Sequence, residues 1–223
     1  MADASERKRT RLTSRGTATK ARIVAAAAKL IYARGAERVS LDEVMEASGT
    51  SKSQLYHYFA DKEDLIRAVI AFQADRIVES NAAVLDRLDS LEGLRAWRDM
   101  TIAASRANGG FGGCPLGALA NELAATSEAT GTLLDESFAA WGAVIAAGLA
   151  RMKARGRLVP TADTKALAVA ALAAIQGGLL LSKSARSARP LELAFDMALG
   201  HIERCAAKKA EPPRSTRGAP PSA

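Results

Sequence analysis

Apolar residues recur at helical spacing near the start of the chain: Ile23, Ala27, Leu30 and Ile31 fall at i, i+4, i+7 and i+8, and Gly35 stands where a helix would end. The spacing predicts a first helix over 19–34 with one buried face. Ser40 with Glu43, then Ser51 with Gln54, each show the three-residue interval of a capping box. Two short helices follow from this: one turns Leu41, Val44 and Met45 inward and ends at Gly49, the other runs to Tyr58 with Leu55 and Phe59 inward. Asp61 caps a fourth helix, with Asp64 at N3 and Glu63 in its first turn. Breaks at GGFGGCP, ARGRLVP and SARP then divide the chain into helices expected over 62–88, 91–107, 116–125, 128–154, 162–185 and 190–206. The chain reads as all-α, with a three-helix unit at 19–64 and a larger six-helix unit at 65–205. A basic arm over 1–18 and a proline-bearing tail over 206–223 are expected to be disordered.

Composition agrees with the helical pattern. Hydrophobic residues make up 48% of the 223, with Ala and Leu abundant and aromatic residues at 4%, which disfavours strands. Cys114 and Cys205 lie far apart without a CxxC or Cys/His cluster, so neither a disulfide framework nor a zinc site is suggested, and a reducing cytoplasm fits. The longest uncharged run, 166–182, is broken by Gln176, Gly177 and Gly178 and suits a buried helix better than a membrane span; the opening residues lack the apolar core of a secretory signal. Of the net charge of +7, most sits at the front: residues 1–62 hold 12 Lys and Arg against 7 Asp and Glu, which suggests a polyanionic partner for the N-terminal unit.

Two short helices joined by a Gly-containing turn form a helix-turn-helix, whose second helix can enter a DNA major groove. The start of that helix carries Thr50, Ser51, Lys52, Ser53, Gln54, Tyr56 and His57 and no carboxylate, a set suited to phosphate oxygens and base edges. The run ERVSLDEVMEASGTSKSQLYHYFADKEDLI resembles the N-terminal domain of the tetracycline-repressor (TetR) family of transcription regulators, with LYHYFADKEDL carrying the signature. The resemblance covers about residues 19–66. It implies backbone contacts from Tyr56 and His57 and a phosphate clamp at Lys62, where a helix-terminus dipole would also attract a phosphate. Ser53 and Gln54 stand where the family often has Gly and Thr, and Gln can pair with adenine through two hydrogen bonds. Further on, GGCPLGALANEL resembles a segment of a subgroup that includes drug- and flavonoid-responsive repressors, and AIQGGLLLSKS resembles the family's eighth helix.

The resemblance implies a second domain that pairs two copies and binds a small molecule. Ala170, Ala171, Ala174, Gly177 and Gly178 on the eighth helix, with Leu191, Phe195, Ala198, Leu199 and Ile202 on the ninth, form stripes suited to a four-helix homodimer interface, although burial inside one chain explains the same periodicity. Trp97, Met100, Thr101, Phe111, Cys114, Leu119, Phe138, Trp141 and Ile145 are candidates to line an effector cavity, the tryptophans being equally suited to plain core, and Ser105, Asn121 and Glu122 could orient a ligand. The expected function is a ligand-responsive repressor that binds a double-stranded palindromic operator and is released by an apolar or aromatic effector. Two other readings stand beside it: a thiol-based sensor using Cys114, whose place at a helix N-cap before Pro115 would favour a thiolate, and a non-specific architectural DNA binder. No catalytic arrangement, phosphate-binding loop or metal-ligand spacing is present in the sequence, so no enzyme activity, cofactor, metal or membrane partner is expected.

Overall fold

The computed structural model describes residues 13–85, 87–110 and 112–207. Among them are nine helices: α1 (Ser14–Arg34), α2 (Leu41–Ser48), α3 (Lys52–Tyr58), α4 (Lys62–Leu85), α5 (Leu91–Ala107), α6 (Pro115–Leu123), α7 (Glu128–Ala154), α8 (Thr164–Ala185) and α9 (Arg189–Arg204). The all-α expectation holds. The first helix begins at Ser14 rather than Thr19, because the Thr13 hydroxyl accepts the Gly16 N–H at 3.2 Å. A helix start requires a cap and permissive residues, not an apolar face. The end of the expected arm is therefore helical, while residues 1–12, like 208–223 of the expected tail, lie outside the described residues.

Both capping boxes close. Ser40 Oγ accepts the Glu43 N–H at 3.2 Å and the Glu43 carboxylate accepts the Ser40 N–H at 2.8 Å. That N–H, with the Arg34 guanidinium at 2.7 Å, holds the exposed Glu43 carboxyl down to about 2. Ser51 and Gln54 repeat the exchange at 3.3 and 3.0 Å. Between the two helices Gly49 adopts φ 60°, a left-handed conformation that costs glycine least. Val44, Leu55 and Phe59 then join Ile23, Ala27 and Ile31 in one buried cluster.

α4 carries this core into the second unit. It runs unbroken through the boundary expected at 64/65 and packs on α1, α5, α6 and α7. It stops at Leu85, short of the predicted 88; Leu88, fully buried, instead fills a turn against Gly148 of α7, where an added Cβ would come within 2.7 Å of the Leu88 Cβ. α7 and α8 have the length and hydropathy of membrane spans; here α7 packs on α4 and α8, and α8 on α9. The chain end is pinned where Val159 N–H reaches the Cys205 carbonyl at 2.9 Å and Ala207 N–H the Arg157 carbonyl at 3.0 Å, so Ala206 and Ala207 belong to the fold rather than to the expected tail.

The α8–α9 contact corrects an expectation. Ala171 and Gly178 of α8 and Leu191, Phe195, Ala198, Leu199 and Ile202 of α9 are buried within the single chain. A Cβ at Gly178 would lie 2.8 Å from Ala194 Cβ and 3.0 Å from Leu191 Cα. The small-residue stripe thus brings α8 close to α9 of the same protomer, the alternative that its periodicity equally allowed.

One further contact ties α6 to the reading unit. α1 ends at Gly35, φ 89°, and the next two amides turn outward, unsatisfied by the helix. Glu122, on α6, accepts both: Ala36 N–H at 2.9 Å and Glu37 N–H at 2.7 Å. Glu122→Gln keeps one acceptor and sets an NH₂ against the second amide. Hydrogen exchange at Ala36 and Glu37 is expected to accelerate about tenfold, with exchange in the α7 core unchanged. Unaltered exchange at both amides would show that the carboxylate does not hold this turn.

Candidate nucleic-acid interface and effector cavity

α3 presents one face to solvent. Leu55 and Phe59 are buried, which turns Lys52, Ser53, Tyr56 and His57 outward, with His57 edge-on to Tyr58 at 4.9 Å between ring centres. No carboxylate lies in α3. Two of the expected contacts are modified. Thr50 is buried, its hydroxyl 2.7 Å from that of Ser48, so its side chain supports the turn and does not face outward. Gln54 is exposed, but its Oε1 is engaged by the Ser51 N–H, leaving the Nε2 donor to face a base edge or phosphate; a two-bond match to adenine would require that cap to open.

Lys62 stands at the first position of α4, after the Asp61 cap whose Oδ1 accepts the Asp64 N–H at 2.7 Å. Its ammonium donates to the Glu37 carbonyl at 3.0 Å. The backbone of Glu37 is therefore gripped on both sides of its Cα, its N–H by Glu122 and its carbonyl oxygen by Lys62. Serial contacts thus run from α6 to a basic side chain at the nucleic-acid face.

Two clefts flank α6. The larger, about 560 Å³, lies between α1, α4, α6 and α8, with Tyr32, Gln73, Leu119, Glu122 and Lys183 on its walls. The smaller, about 300 Å³, lies between α6, α7 and α8 and takes in Cys114, Asn121, Phe138, Gln176 and Lys183. Of the expected cavity set, Leu119 lines the first, and Cys114 and Phe138 line the second. Phe138 stacks on Trp141 with ring centres 6.5 Å apart.

Trp97, Met100, Thr101, Trp141 and Ile145 line neither cleft. Trp97 is packed edge-on against Phe195 at 5.0 Å between α5 and α9, the Thr101 hydroxyl bonds back to the Trp97 carbonyl at 2.8 Å, and Ile145 is fully buried. Trp97, Trp141 and Ile145 are buried, which for the tryptophans is the plainer of the two readings, and Met100 and Thr101 are half-buried. Phe111 lies outside the described residues. Glu122, expected to orient a ligand, holds the α1–α2 turn instead. Tyr32 and Lys183 were not anticipated; they lie far from the segments that carried aromatic and polar candidates, and no local pattern marks them.

Cys114 is the N-cap of α6, as its place before Pro115 implied, and its sulfur accepts the Gly117 N–H at 3.3 Å. The expected shift is nevertheless reversed. The residue is buried, and burial pushes the thiol pKa up by more than the N-terminal amides draw it down. Burial thus opposes the thiolate that the cap position would favour, and Cys114 packs at the edge of the smaller cleft.

The outward faces of α8 and α9 carry what their inner faces do not. Val169, Leu180, Leu181, Leu193 and Met197 are between 52% and 65% exposed, alongside exposed Ala170, Ala173 and Gly177 and half-buried Ala174. Large apolar side chains grouped this way mark an interaction surface. Of the expected interface residues, Ala170, Ala174 and Gly177 lie towards it.

Comparison with known proteins agrees with this geometry. The pattern described as bacterial regulatory proteins of the tetR family matches residues 23–69, and that of the LmrA/YxaF-like transcriptional regulator C-terminal domain matches residues 90–197. An HTH-type transcriptional regulator encoded in the lacX 3' region of Lactococcus lactis is 31% identical over 85% of this chain and 96% of its own length. The HTH-type regulator YxaF of Bacillus subtilis is 27% identical over 82% of this chain and 93% of its own. In fold, a regulatory protein TetR from Rhodobacter sphaeroides superposes with a TM-score of 0.71 at 24% identity, covering 82% of this chain and 98% of that one.

The raised thiol pKa of Cys114 has a direct kinetic consequence. Only the thiolate alkylates, so at pH 7 Cys114 is expected to react with iodoacetamide more slowly than half-buried Cys205, its rate still climbing as pH passes the ordinary thiol range. Mass spectrometry of time courses, repeated on Cys205→Ser, reads this directly; rapid labelling of Cys114 at neutral pH would return it to consideration as a sensor.

Proposed function

Because the chain belongs to the tetR family of bacterial transcriptional regulators, we propose that it is a cytoplasmic, ligand-responsive repressor that holds a palindromic operator as a homodimer. A small apolar or aromatic effector, bound beside α6, releases it. The observation that carries this reading is the double role of α6: its N-terminal end lines the cleft with Cys114 and its C-terminal end grips the α1–α2 turn with Glu122.

An effector favours whichever arrangement it binds more tightly. Binding that displaces α6 draws on the Glu122 contacts, and through the Glu37 backbone it alters the seat of Lys62. Operator affinity then falls because phosphate contacts and helix spacing no longer match the duplex. The outward α8–α9 face supplies the pairing surface, setting two reading helices about one duplex turn, roughly 34 Å, apart.

Neither other reading is favoured. Burial of Cys114 argues against thiol sensing. An architectural binder would have no use for two clefts coupled to the reading unit.

Base readout and anchoring are separable by mutation. Lys62→Ala is expected to weaken binding to operator and scrambled duplex alike and to lower the salt slope by about one. Gln54→Ala is expected to shift preference at one operator position by about 1–3 kcal/mol. Fluorescence anisotropy against a selected operator at two salt concentrations distinguishes them, and identical behaviour of the two variants would refute the assignment of roles.

Pairing is tested at the centre of the apolar face. Met197→Glu leaves the core untouched because that side chain is exposed. It is expected to give helical monomers by sedimentation with operator affinity reduced at least tenfold, because one half-site supplies part of the contact energy. A dimer of undiminished stability would move the interface elsewhere.

A further inference from the structure

The smaller cleft is bordered by an exposed lysine, Lys183, which also lines the larger cleft and has no carboxylate partner among the described residues. We propose that it takes an amphipathic organic anion, an apolar or aromatic body ending in a single acidic group, with Lys183 as the counter-ion; this rests on the effector-site reading above and names the ligand class for it. The body would lie on Phe138, whose ring is braced by Trp141. At about 300 Å³ the cleft suits a molecule of one or two rings.

Lys183 sets the chemistry of the head. Its stem runs past Gly113, where an added Cβ would meet it at 3.3 Å, and its ammonium stands 5.7 Å from the centre of the Tyr32 ring. Tyr32 is itself held by its hydroxyl, which donates to the Gly113 carbonyl at 3.2 Å. Arg34, Arg98 and Arg106 each have a carboxylate within 2.7 Å. Lys183 has none among the described residues, and Glu122, the carboxylate on the neighbouring helix, is committed to two backbone amides.

Gln176 adds a second unsatisfied donor. Its Nε2 is buried and makes no hydrogen bond, while its Oε1 lies against Gly117, where a Cβ would be 2.8 Å away. The amide lies beside the Cys114 thiol, whose pKa it helps draw down, and it has no oxygen acceptor. A buried donor left unpaired is costly, and a ligand oxygen reached by a small side-chain rotation relieves that cost. A cation and an amide N–H on the α8 wall of one apolar cleft, seven residues apart, favour a ligand that carries a carboxylate, sulfonate or acidic phenolate over a cationic one.

Two fluorescent probes with the same aromatic body separate the terms: anilinonaphthalene sulfonate, an anion, and phenylnaphthylamine, its neutral counterpart. The full-length protein is titrated with each, as wild type, Lys183→Met, Lys183→Arg and Phe138→Ala, with operator binding measured in parallel. Wild type should bind the sulfonate more tightly. Lys183→Met should weaken the sulfonate about tenfold and leave the neutral probe unchanged, as expected for loss of one charge-assisted contact. Lys183→Arg should restore most of the difference, and Phe138→Ala should weaken both probes. Sulfonate affinity that survives Lys183→Met, or equal loss of both probes in that variant, overturns the proposal. Loss of operator binding with the probe pattern intact would count against the repressor reading alone.

Discussion

Two backbone amides at the end of α1 point away from their own helix, and a carboxylate from a helix 85 or more residues later in the chain receives them. The Ala36 donor, on a fully buried residue, would cost about 1–3 kcal/mol if left unpaired, a large share of the stability of a small unit, whereas the Glu37 N–H is exposed. Gly35 makes the approach possible. Its φ of 89° turns the chain, and any side chain there would press on the Glu122 carboxylate at 3.2 Å. Gly35 and Glu122 are therefore one device written at two distant places, and the position of the reading unit relative to α6 follows from it.

The nucleic-acid face is organised by the same economy of backbone groups. In α2 and α3 the caps are reciprocal, so each short helix has its first amides satisfied before any tertiary contact forms. Short helices are marginal alone, and Leu55 and Phe59 supply the rest by burying against α1. What remains outward on α3 is uncharged polar or basic, the exposed acids Asp42 and Glu46 lying on α2. Lys62 adds a fixed positive charge whose position depends on the Glu37 carbonyl rather than on a carboxylate partner, so a phosphate can approach it without displacing an ion pair.

The parts of this structure that could be read in the sequence are those specified by local chemistry. Capping boxes placed α2 and α3, Ser90 and Ser127 stand at the starts of α5 and α7, and the helix layout followed from spacing and breaks. Facing was harder. α8 is apolar nearly all round, so its pattern could not tell which stripe meets α9 and which meets solvent; Gly178 faces α9, where close approach leaves no room for a Cβ, while Ala170, Ala173 and Gly177 stay outside with Leu180 and Leu181. Cys114 shows a competition invisible in a motif: the N-cap position was legible, but burial, a property of the whole fold, set the sign of the thiol's shift. Lys183 and Tyr32 meet only because α8 and α1 converge on the Gly113 loop, a contact with no sequence signature at either end.

Gln54 has a structural duty as well as the operator contact proposed for it. Its backbone N–H and side-chain oxygen complete the Ser51 box, while its remaining amide faces outward. Evolution of a new operator preference at this residue is therefore not a free walk through twenty side chains. Substitutions that keep an acceptor within reach of the Ser51 amide, Glu above all, preserve the helix start while changing which bases it greets. Others, such as Arg or Ala, must wait for a compensating gain in the core beneath α3. Drift in the regulated genes would then proceed mainly by change in the DNA, with the protein following along a narrow path.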